Sequence, residues 1–194
     1  MSTPLFNSGE LRRLVHEGSP VLFPTDTLPA LATIPKNADD LWNLKHRPRT
    51  KPFILMASSS EELFDFILPE ALEDASKIGS VYWPGALTMV LPAMGSIVAS
   101  LNPFGSSIGM RIPACDLAID FLEKSGPLAT TSANLSGYEP LVSAMEISKT
   151  FPKTPLLGPI PWPLSSGLAS TLIKWKGKGR WETLRQGSVF PFGI

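Results

Sequence analysis

Cysteine and histidine are scarce in this sequence of 194 residues, which contains one Cys and two His. Its formal net charge is zero. The single Cys115 cannot form an internal disulfide, and this favours a reducing, cytoplasmic location. His16, His46 and Cys115 are too few for a structural zinc site of four such ligands. A Ser-His-Asp hydrolase would have to use one of these two histidines. The sequence therefore predicts no protein-held metal.

Uninterrupted apolar runs and glycine-rich nucleotide motifs are also missing. No stretch approaches the roughly 18 apolar residues of a membrane helix, and residues 1–10 lack the pattern of a signal peptide. The P-loop sequence and the glycine fingerprint of dinucleotide-binding domains do not occur. These absences exclude P-loop and Rossmann nucleotide binding and predict a protein without membrane contact.

The charges are balanced overall but unevenly distributed. Of the 17 Lys/Arg and 17 Asp/Glu residues, 10 and 14 fall in residues 1–124, which leaves 7 and 3 for residues 125–194. A globally basic nucleic-acid-binding protein is excluded, whereas the mildly basic C-terminal third permits a local anionic partner. The hydrophobic fraction of 43% and the length predict one globular domain over residues 1–194.

Helical and strand patterns alternate along the chain. Asn7-Ser8-Gly9-Glu10 has the form of a capping box and predicts a helix to about Glu17, and Asn37 is predicted to cap a second helix that ends near Lys45. Further helices are predicted from Ser60, from Pro69, over 116–124 and over 143–149. Strands are predicted at 21–23, 53–56, 87–91, 107–111, 128–130, 170–175 and 181–184. This order predicts the α/β class: a single domain with a twisted, mixed β-sheet flanked by helices.

Prolines are abundant, with 20 in the chain, and many of them lie at element boundaries. The proline-rich segment 152–163 is predicted to be an irregular loop. A static loop and a lid that moves over a site are both open alternatives for this segment.

Four cations lie within the segment Lys45-His46-Arg47-Pro48-Arg49-Thr50-Lys51-Pro52, at the end of the second predicted helix. Crowded cations repel one another unless an anion joins them or water screens them. A triphosphate would supply the missing negative charge, and Arg side chains bind phosphate bidentately. A solvated loop that favourably ends the helix dipole explains the same residues. Charge alone therefore leaves both interpretations open.

Neutral polar groups follow two of the predicted strands. The segments are Thr130-Thr131-Ser132-Ala133-Asn134-Leu135-Ser136-Gly137 and Pro24-Thr25-Asp26-Thr27. Strand ends are where open α/β sheets bind ligands, and hydroxyl and amide groups can orient a ligand without bringing a charge. Ordinary Asx and Ser turns account for the same residues.

Arg111 lies in a predicted strand between the apolar residues Met110 and Ile112. Because side chains alternate along a strand, Arg111 must face the side opposite these two residues. On a solvent-exposed face it would be a surface cation, and in a cleft it would hold a carboxylate or a phosphate. The sequence leaves these two alternatives open.

Cations alternate with tryptophans in the segment Lys174-Trp175-Lys176-Gly177-Lys178-Gly179-Arg180-Trp181. Such a composition suits RNA, whose phosphates pair with Lys and Arg and whose bases stack on aromatic rings. A hairpin with its Trp side chains inward and its Lys side chains outward explains the segment as well.

Taken in order, these motifs resemble the YrdC-like threonylcarbamoyl-AMP synthase family. The resemblance covers roughly residues 6–187, and the Lys-x-Arg and Ser-x-Asn motifs in this order are its most specific part. The matching residues are Pro24-Thr25-Asp26-Thr27, Lys45-x-Arg47-Pro48, Lys51-Pro52, Trp83-Pro84-Gly85-x-Leu87-Thr88, Arg111-Ile112-Pro113, Ser132-Ala133-Asn134-x-Ser136-Gly137, Ser170-Thr171 and Arg185-x-Gly187. The resemblance implies a YrdC-like fold in the short, single-domain form of the family.

The resemblance implies an L-threonylcarbamoyladenylate synthase, a nucleotidyltransferase that joins L-threonine, bicarbonate and ATP and releases pyrophosphate. Other proteins then transfer the threonylcarbamoyl group to the tRNA adenosine next to the anticodon. Mg²⁺ would arrive with ATP and need few protein ligands of its own. Because phosphoryl-type chemistry is mostly positioning and charge stabilisation, a cationic site can catalyse it without a protein nucleophile.

The resemblance also implies a role for each matched site residue. ATP would be bound by Lys45, Arg47, Lys51, Ser132, Asn134 and Arg185, with Lys45 and Arg47 as the catalytic residues. Threonine would be bound by Thr27, Arg111 and Ser170. Arg111 would be the natural partner of the threonine carboxylate.

Several positions depart from the family pattern. The family commonly continues Thr-Asp-Thr-Val-Tyr-Gly-Leu, whereas this chain reads Thr25-Asp26-Thr27-Leu28-Pro29-Ala30-Leu31. Pro29 removes a backbone donor, and Ala30 adds a Cβ where glycine allows close approach. Met56 stands where some members carry His, and Ala169 stands where Pro is common. The Pro29-Ala30 change is expected at the amino-acid end of the site, so it concerns threonine recognition more than ATP binding.

Two other functions are compatible with these residues. One is a non-catalytic paralogue that binds nucleotide, tRNA or double-stranded RNA, which Pro29-Ala30 and the segment 174–181 would explain. The other keeps the adenylation chemistry but uses a different amino acid.

Overall fold

The strands of the protein form one mixed sheet. The computed structural model describes residues 4–191, and within them the strands are β1 (Leu5–Phe6), β2 (Val21–Phe23), β3 (Ala30–Thr33), β4 (Ile54–Met56), β5 (Leu87–Pro92), β6 (Ser107–Arg111), β7 (Leu128–Ser132), β8 (Leu156–Leu157), β9 (Thr171–Trp175) and β10 (Trp181–Arg185). They lie in the order β1-β8-β2-β3-β7-β4-β6-β5-β9-β10. The pairs β1 with β8, β2 with β8, β4 with β6, and β5 with β9 are parallel, and the other neighbours are antiparallel.

Helices lie between most of these strands. Within the described residues they are α1 (Ser8–His16), α2 (Ala38–Lys45), α3 (Ser60–Phe64), α4 (Pro69–Tyr82), α5 (Ser96–Leu101), α6 (Asp116–Ser125) and α7 (Ala144–Thr150), and a 3₁₀ helix (Pro35–Asn37) precedes α2. The start of α1 is the predicted capping box. The Asn7 side chain accepts from the Glu10 N–H, and the Glu10 carboxylate accepts from the Asn7 N–H, each at 3.0 Å. None of the helices within residues 4–191 combines the length and the apolar character that crossing a membrane requires.

Side-chain alternation buries the central strands on both faces. In β2, Val21 and Phe23 enter one apolar cluster and Leu22 enters the other. In β3, Ala32 joins the cluster of Val21, and Leu31 joins that of Leu22. A strand buried on both faces needs apolar residues at every position, which explains the continuous apolar runs in these segments.

Helices cover the two faces of the sheet. On one side, α1 and α6 pack against the strands, and the ring of Phe121 in α6 lies 5.3 Å from that of Phe23. This side is called the α1–α6 face below. On the opposite side, α2 contributes Trp42, whose ring lies 4.4 Å from that of Phe53. Each buried aromatic side chain contributes about 1.5–3 kcal/mol of hydrophobic stabilisation.

The structure confirms the predicted α/β class with a mixed sheet flanked by helices. The predicted helices and strands are present, with ends that differ by no more than two residues. Strands β1, β3 and β8 and helix α5 were not predicted from the sequence. Strands β1 and β8 have two residues each, which is too short for a periodic pattern. Two of the four residues of β3 are alanines, which are depleted in strands.

Two local predictions need correction. Asn37 precedes α2 as expected, but its side chain makes no capping hydrogen bond, because Asn37 ends the 3₁₀ helix with φ −104° and ψ 17° instead of an extended backbone. The segment 152–163 is not irregular throughout. Its residues Leu156 and Leu157 are buried and form β8, which pairs with β1 and β2. A lid movement of this segment stays a prediction.

The two asparagines before α1 and α2 give a direct test of these caps. We expect Asn7→Ala to lower the free energy of unfolding by about 1 kcal/mol, because the Glu10 N–H loses its acceptor. Asn37→Ala is the matched control, and its effect should be smaller because no capping bond is lost. Denaturant unfolding of the two variants measures both values, and equal losses would contradict the assignment.

Candidate active site

A cavity of about 140 Å³ lies over the middle of the sheet, on the α1–α6 face. Its floor comes from β3, β7, β4 and β6, which are consecutive in the sheet. The lining residues are Thr27, Leu28, Ala30, Arg47, Pro52, Ile54, Met56, Arg111, Thr130, Thr131, Ser132, Ala169, Ser170 and Arg185. This lining contains three guanidinium groups and no carboxylate, so it suits an anionic ligand.

Strand register decides which floor residues are neighbours. The paired positions are Ala30 with Ser132, Ile54 with Thr130, and Met56 with Arg111. Side chains at paired positions point to the same face of a sheet. The floor therefore runs from Ala30 and Ser132 at one end to Met56 and Arg111 at the other.

Lys45, the last residue of α2, is 2% exposed, and within residues 4–191 its ammonium group has only neutral partners. Its Nζ donates to Thr131 Oγ1 at 3.2 Å, to Asn134 Oδ1 at 3.4 Å and to the carbonyl of Ser132. Burial, followed by the charge of Arg47, lowers the pKa of Lys45 to about 7. An anionic ligand would favour the protonated form and restore the charge.

The backbone turn after Lys45 is unusual for its residue type. His46 ends α2 in the left-handed conformation, with φ 49° and ψ 42°. This conformation terminates helices and is most often adopted by glycine. A non-glycine residue there costs about 1–2 kcal/mol, which the contacts of the surrounding segment must offset.

Arg47 reaches the cavity from the segment that follows α2. Its Nε donates to the Lys51 carbonyl and its Nη2 donates to the Pro52 carbonyl, each at 3.0 Å. Burial, followed by the charge of Arg185, lowers the pKa of the Arg47 guanidinium. Arg47 and Arg185 therefore lie close enough to repel each other, and an anion between them would remove the repulsion.

The remaining two cations of this segment point away from the cavity. Arg49 is exposed and pairs with Asp39 at 2.8 Å on the surface. The Lys51 side chain is exposed and lies outside the cavity lining, although the Lys51 carbonyl holds Arg47. The structure thus divides the four cations into an inward pair and an outward pair.

The loop after β7 orients the polar groups around Lys45. Ser132 Oγ donates to Asn134 Oδ1 at 2.6 Å. Asn134 Nδ2 donates to the carbonyls of Leu135 at 3.1 Å and Tyr138 at 2.7 Å. These bonds direct the amide oxygen of Asn134 toward Lys45. The same residues therefore form an ordinary polar turn and contribute to the cavity.

Arg111 is confirmed to face away from Met110 and Ile112, and it lies in the cavity wall at 4% exposure. Its Nη2 forms a 2.6 Å ion pair with Asp26 Oδ1, and its Nη1 donates to Thr27 Oγ1 at 2.6 Å. Burial lowers the pKa of the Arg111 guanidinium, and the Asp26 carboxylate opposes this shift. Arg111 therefore lies in a cleft and not on a solvent-exposed face, and its role in holding a carboxylate or a phosphate stays a prediction.

Ser170 and Arg185 close the cavity on the side of β9 and β10. The Arg185 guanidinium donates to the Ser170 carbonyl from Nε at 3.2 Å and from Nη2 at 2.8 Å. The Ser170 hydroxyl lies 2.7 Å from Thr88 Oγ1, and both hydroxyls are buried. The Ser170 backbone therefore positions the Arg185 guanidinium, and Thr88 positions the Ser170 hydroxyl.

Gly187 allows the chain after β10 to lie directly against the start of β9. Its N–H donates to Thr171 Oγ1 at 3.0 Å. A Cβ at position 187 would collide with the Ala169 carbonyl oxygen and with the backbone of Ser170 and Thr171. Close approach thus gives a physical reason for glycine in the Arg185-x-Gly187 motif.

The structure brings eight of the nine predicted site residues together. Thr27, Arg47, Arg111, Ser132, Ser170 and Arg185 line the cavity, and Lys45 and Asn134 bond to this lining. The side chain of Lys51 lies outside it. Asp26 and Thr131 were not predicted as site residues from the sequence. Their only signal was membership in the two polar motifs, and the long-range partners that give them a function are invisible in the sequence.

The segment 174–181 forms the hairpin of β9 and β10, with its tryptophans packed against the core. Trp175 Nε1 donates to Asp74 Oδ2 at 2.7 Å, whereas Lys176, Lys178 and Arg180 are exposed. The inward-Trp alternative is therefore correct. Lys176 is paired with Glu182 at 3.1 Å, and RNA binding by this segment stays a prediction.

The departures from the family pattern lie at different ends of the cavity. Pro29 is buried outside the lining, and its carbonyl accepts from the Ala133 N–H at 2.9 Å. Ala30 lies beside Ser132, a predicted ATP ligand, and Met56 lies beside Arg111, a predicted threonine ligand. Ala169 also lines the cavity and precedes Ser170, another predicted threonine ligand. By these predicted roles, Met56 and Ala169 lie nearer to the amino acid than Ala30 does.

Proteins similar to this chain are known both by sequence and by structure. The Sua5/yciO/yrdC family, which carries the description "Telomere recombination", matches residues 13–187. Threonylcarbamoyl-AMP synthase of Pyrococcus abyssi is 32% identical over 141 residues, which are 71% of this chain and 41% of that protein. The protein of that name in Bacillus subtilis is 35% identical over 129 residues, which are 64% and 37% of the two chains. The matched regions thus cover less than half the length of these two relatives.

A relative from Mus musculus, also named threonylcarbamoyl-AMP synthase, is 31% identical over 193 residues, which cover 91% of this chain and 66% of that protein. Among solved structures, P. abyssi Sua5 complexed with L-threonine is similar with a TM-score of 0.82 and 27% identity, over 95% of this chain and 56% of that chain. Escherichia coli YciO is similar with a TM-score of 0.77 and 23% identity, over 93% and 88% of the two chains, which concerns the fold alone.

The buried lysine predicts a pH-dependent stability. The pKa of Lys45 falls from 10.5 to about 7 on folding, so the unfolded chain binds more protons between these two pH values. The free energy of unfolding should therefore rise with pH in this window, by up to about 1.4 kcal/mol per pH unit from this group. Denaturant unfolding from pH 7 to pH 9.5 measures the rise as the difference between wild type and Lys45→Met. Parallel pH profiles for the two proteins would contradict it.

The close approach at Gly187 predicts a destabilising substitution. We expect Gly187→Ala to lower the free energy of unfolding by about 1–3 kcal/mol, because the added methyl group meets backbone atoms that cannot move aside. Gly9→Ala in α1 is the matched control, since its Cβ would make an ordinary contact and alanine favours the helix. The melting temperature should fall for Gly187→Ala and rise for Gly9→Ala. An unchanged melting temperature for Gly187→Ala would disprove the packing argument.

Proposed function

Because the chain belongs to the Sua5/YciO/YrdC family, we propose that it is an ATP-dependent threonylcarbamoyl-AMP synthase. Relatives with this name are 31% or 32% identical to it. The observation that carries the proposal is the difference in charge compensation among the cations of the cavity. Within residues 4–191, Lys45, Arg47 and Arg185 have only neutral partners, whereas Arg111 is paired with a carboxylate.

The proposed reaction joins three substrates. The amine of L-threonine and bicarbonate form a carbamate with loss of water. A carbamate oxygen attacks the α-phosphorus of ATP, and the bond from this phosphorus to the bridging oxygen breaks. Pyrophosphate leaves with that oxygen, and threonylcarbamoyl-AMP remains. Such a step needs positioning of the reactants and stabilisation of charge on the phosphate oxygens.

The cationic end of the cavity supports ATP binding and the catalytic step. In this proposal Lys45, Arg47 and Arg185 hold the phosphates, and Ser132 and Asn134 orient the nucleotide side. The three cations lack carboxylate partners among the described residues, so a polyanion would satisfy charges that the protein leaves uncompensated. Lys51 would act through its carbonyl, which holds Arg47, since its side chain points elsewhere.

The opposite end supports binding of an amino acid. In this proposal Arg111 holds the threonine carboxylate, and the hydroxyls of Thr27 and Ser170 hold the remaining polar groups. Met56 beside Arg111 offers an apolar surface to the side-chain methyl group. The P. abyssi relative solved with L-threonine supports this choice of amino acid.

Mg²⁺ enters this proposal as part of the substrate Mg-ATP. The cavity lining contains no carboxylate, and residues 4–191 contain no group of three or more His, Cys, Asp or Glu that could hold a metal ion. Mg²⁺ commonly keeps several waters and binds to substrate phosphates in such sites. The residues present are therefore compatible with an ion that the phosphates carry in.

We also propose that the product passes to proteins that transfer the threonylcarbamoyl group to tRNA, in the cytoplasm. Direct binding of tRNA or double-stranded RNA would use the exposed cations Lys178 and Arg180, since Lys176 is paired with Glu182. Such contacts reach phosphates only, because the neighbouring tryptophans are packed inward. A non-catalytic paralogue that binds nucleotide or RNA is the alternative function.

Pyrophosphate release from Mg-ATP tests the proposed activity. We expect release that requires both L-threonine and bicarbonate. Arg47→Ala should lower kcat/KM about 100-fold or more, because a cation at the phosphates is lost. Arg49→Ala is the matched control, since Arg49 comes from the same segment but pairs with Asp39 on the surface.

The outcomes separate the candidate functions. Release that does not depend on threonine, or equal losses in Arg47→Ala and Arg49→Ala, would contradict the synthase. Best turnover with another amino acid in a panel would keep the chemistry and change the substrate. The non-catalytic paralogue would be supported if wild type binds ATP but releases no pyrophosphate, and if Lys45→Ala/Arg47→Ala abolishes that binding.

A further inference from the structure

Asp26 is the one carboxylate that contacts a cavity cation within residues 4–191. Its Oδ1 lies 2.6 Å from Arg111 Nη2, and the two side chains are 18% and 5% exposed. The other three cations donate to hydroxyl, amide or backbone oxygens only. Positive charge is therefore compensated at Arg111 and uncompensated at Lys45, Arg47 and Arg185.

The position of Asp26 is fixed by its backbone as well as by its carboxylate. The same Oδ1 accepts from the Ala114 N–H at 3.0 Å, which ties Asp26 to the chain just before α6. The Asp26 carbonyl accepts from the Ser166 N–H at 2.9 Å, and the Thr27 carbonyl accepts from the Gly167 N–H at 3.1 Å. The Asp26 carboxylate therefore cannot turn away from Arg111 without losing the Ala114 N–H, and its backbone is held in place by a second segment.

The reaction needs two anions in one small cavity, and they differ in charge. A triphosphate carries several negative charges, whereas an amino acid offers a single carboxylate. Coulombic attraction grows with ligand charge, so an uncompensated Arg111 would attract the triphosphate more strongly than the carboxylate. A fixed negative charge at Arg111 penalises the polyanion most, because repulsion grows with the same charge.

We propose that Asp26 is a positioning residue that sorts the two anionic ligands. By compensating Arg111, it keeps the triphosphate at Lys45, Arg47 and Arg185 and reserves Arg111 for a monoanionic carboxylate. The remaining donors of the Arg111 guanidinium still bind the carboxylate through directed hydrogen bonds. The identity of the two ligands rests on the proposed function, but the sorting of polyanion from carboxylate does not require turnover.

Inorganic tripolyphosphate is the probe for this role, measured by isothermal titration calorimetry at constant ionic strength. We expect wild type to bind it at one site that L-threonine does not compete for. Asp26→Asn keeps an oxygen for Arg111 and for the Ala114 N–H but removes the charge. It should bind tripolyphosphate about tenfold more tightly or at a second site, since the repulsion is gone. Threonine should then compete with tripolyphosphate.

A purely structural role for Asp26 would not produce this competition. In steady-state assays, Asp26→Asn should raise the KM for threonine with little change in kcat, and tripolyphosphate should become a competitive inhibitor against threonine as well as ATP. Asp39→Asn is the matched control, because it removes the carboxylate of an Asp–Arg pair on the surface. It should leave both isotherms and both inhibition patterns as in wild type.

Equal tripolyphosphate isotherms for wild type and Asp26→Asn, with no competition by threonine, would overturn the sorting role. If Asp26→Asn fails to fold, Asp26→Asn/Arg111→Gln removes both charges of the buried pair. Tripolyphosphate affinity as in wild type would then support the proposal, and weaker affinity would overturn it by showing that Arg111 already binds the polyanion. Loss of pyrophosphate release alone would count against the proposed function and not against sorting.

Discussion

The pairing of β7 with both β3 and β4 is the constraint on which the cavity depends. Thr130 and Ser132 of β7 form the floor between these neighbours. The Thr131 hydroxyl and the Ser132 carbonyl also supply two of the oxygens that surround Lys45. A shift of β7 by one residue would turn the floor side chains to the other face. The apolar residues of the three strands therefore set the register that the polar site requires.

The site stabilises buried positive charge mostly with fixed dipoles. Arg47 and Arg185 donate chiefly to backbone carbonyls, and Lys45 is surrounded by a carbonyl, a hydroxyl and an amide. Such groups replace lost water contacts but bring no negative charge, so a net positive field remains. The Asp26–Arg111 pair differs, because its net charge is close to zero while its geometry is rigid. One cavity thus contains two electrostatic environments.

Much of the fold could be predicted because it depends on local chemistry. The capping box at Asn7 and Glu10, the apolar run of β2 and the alternation around Arg111 are all visible in the sequence and present in the structure. Strand β3 was missed because alanines occupy positions where burial, and not propensity, decides the conformation. The capping bond expected at Asn37 is absent because a 3₁₀ helix occupies the preceding residues.

Most residues of the candidate site could be predicted, but their arrangement could not. The motifs named the residues, yet nothing in the segment 45–51 distinguishes Lys45 and Arg47, which turn inward, from Arg49 and Lys51, which do not. That choice depends on the left-handed turn at His46 and on carbonyls that no side-chain pattern reveals. The pairing of Asp26 with Arg111 was equally hidden, because 85 positions separate the two residues.

This separation along the chain has an energetic consequence. Lys45 bonds to residues 86 to 89 positions away, so the cavity exists only when distant parts of the sheet have already joined. No local unit of the chain can hold an anion at these groups by itself. Ligand binding is therefore linked to the folded state of the central sheet as a whole, and its free energy adds to global stability by mass action. An occupied cavity would therefore stabilise the whole sheet against unfolding, and not only the segments that contact the ligand.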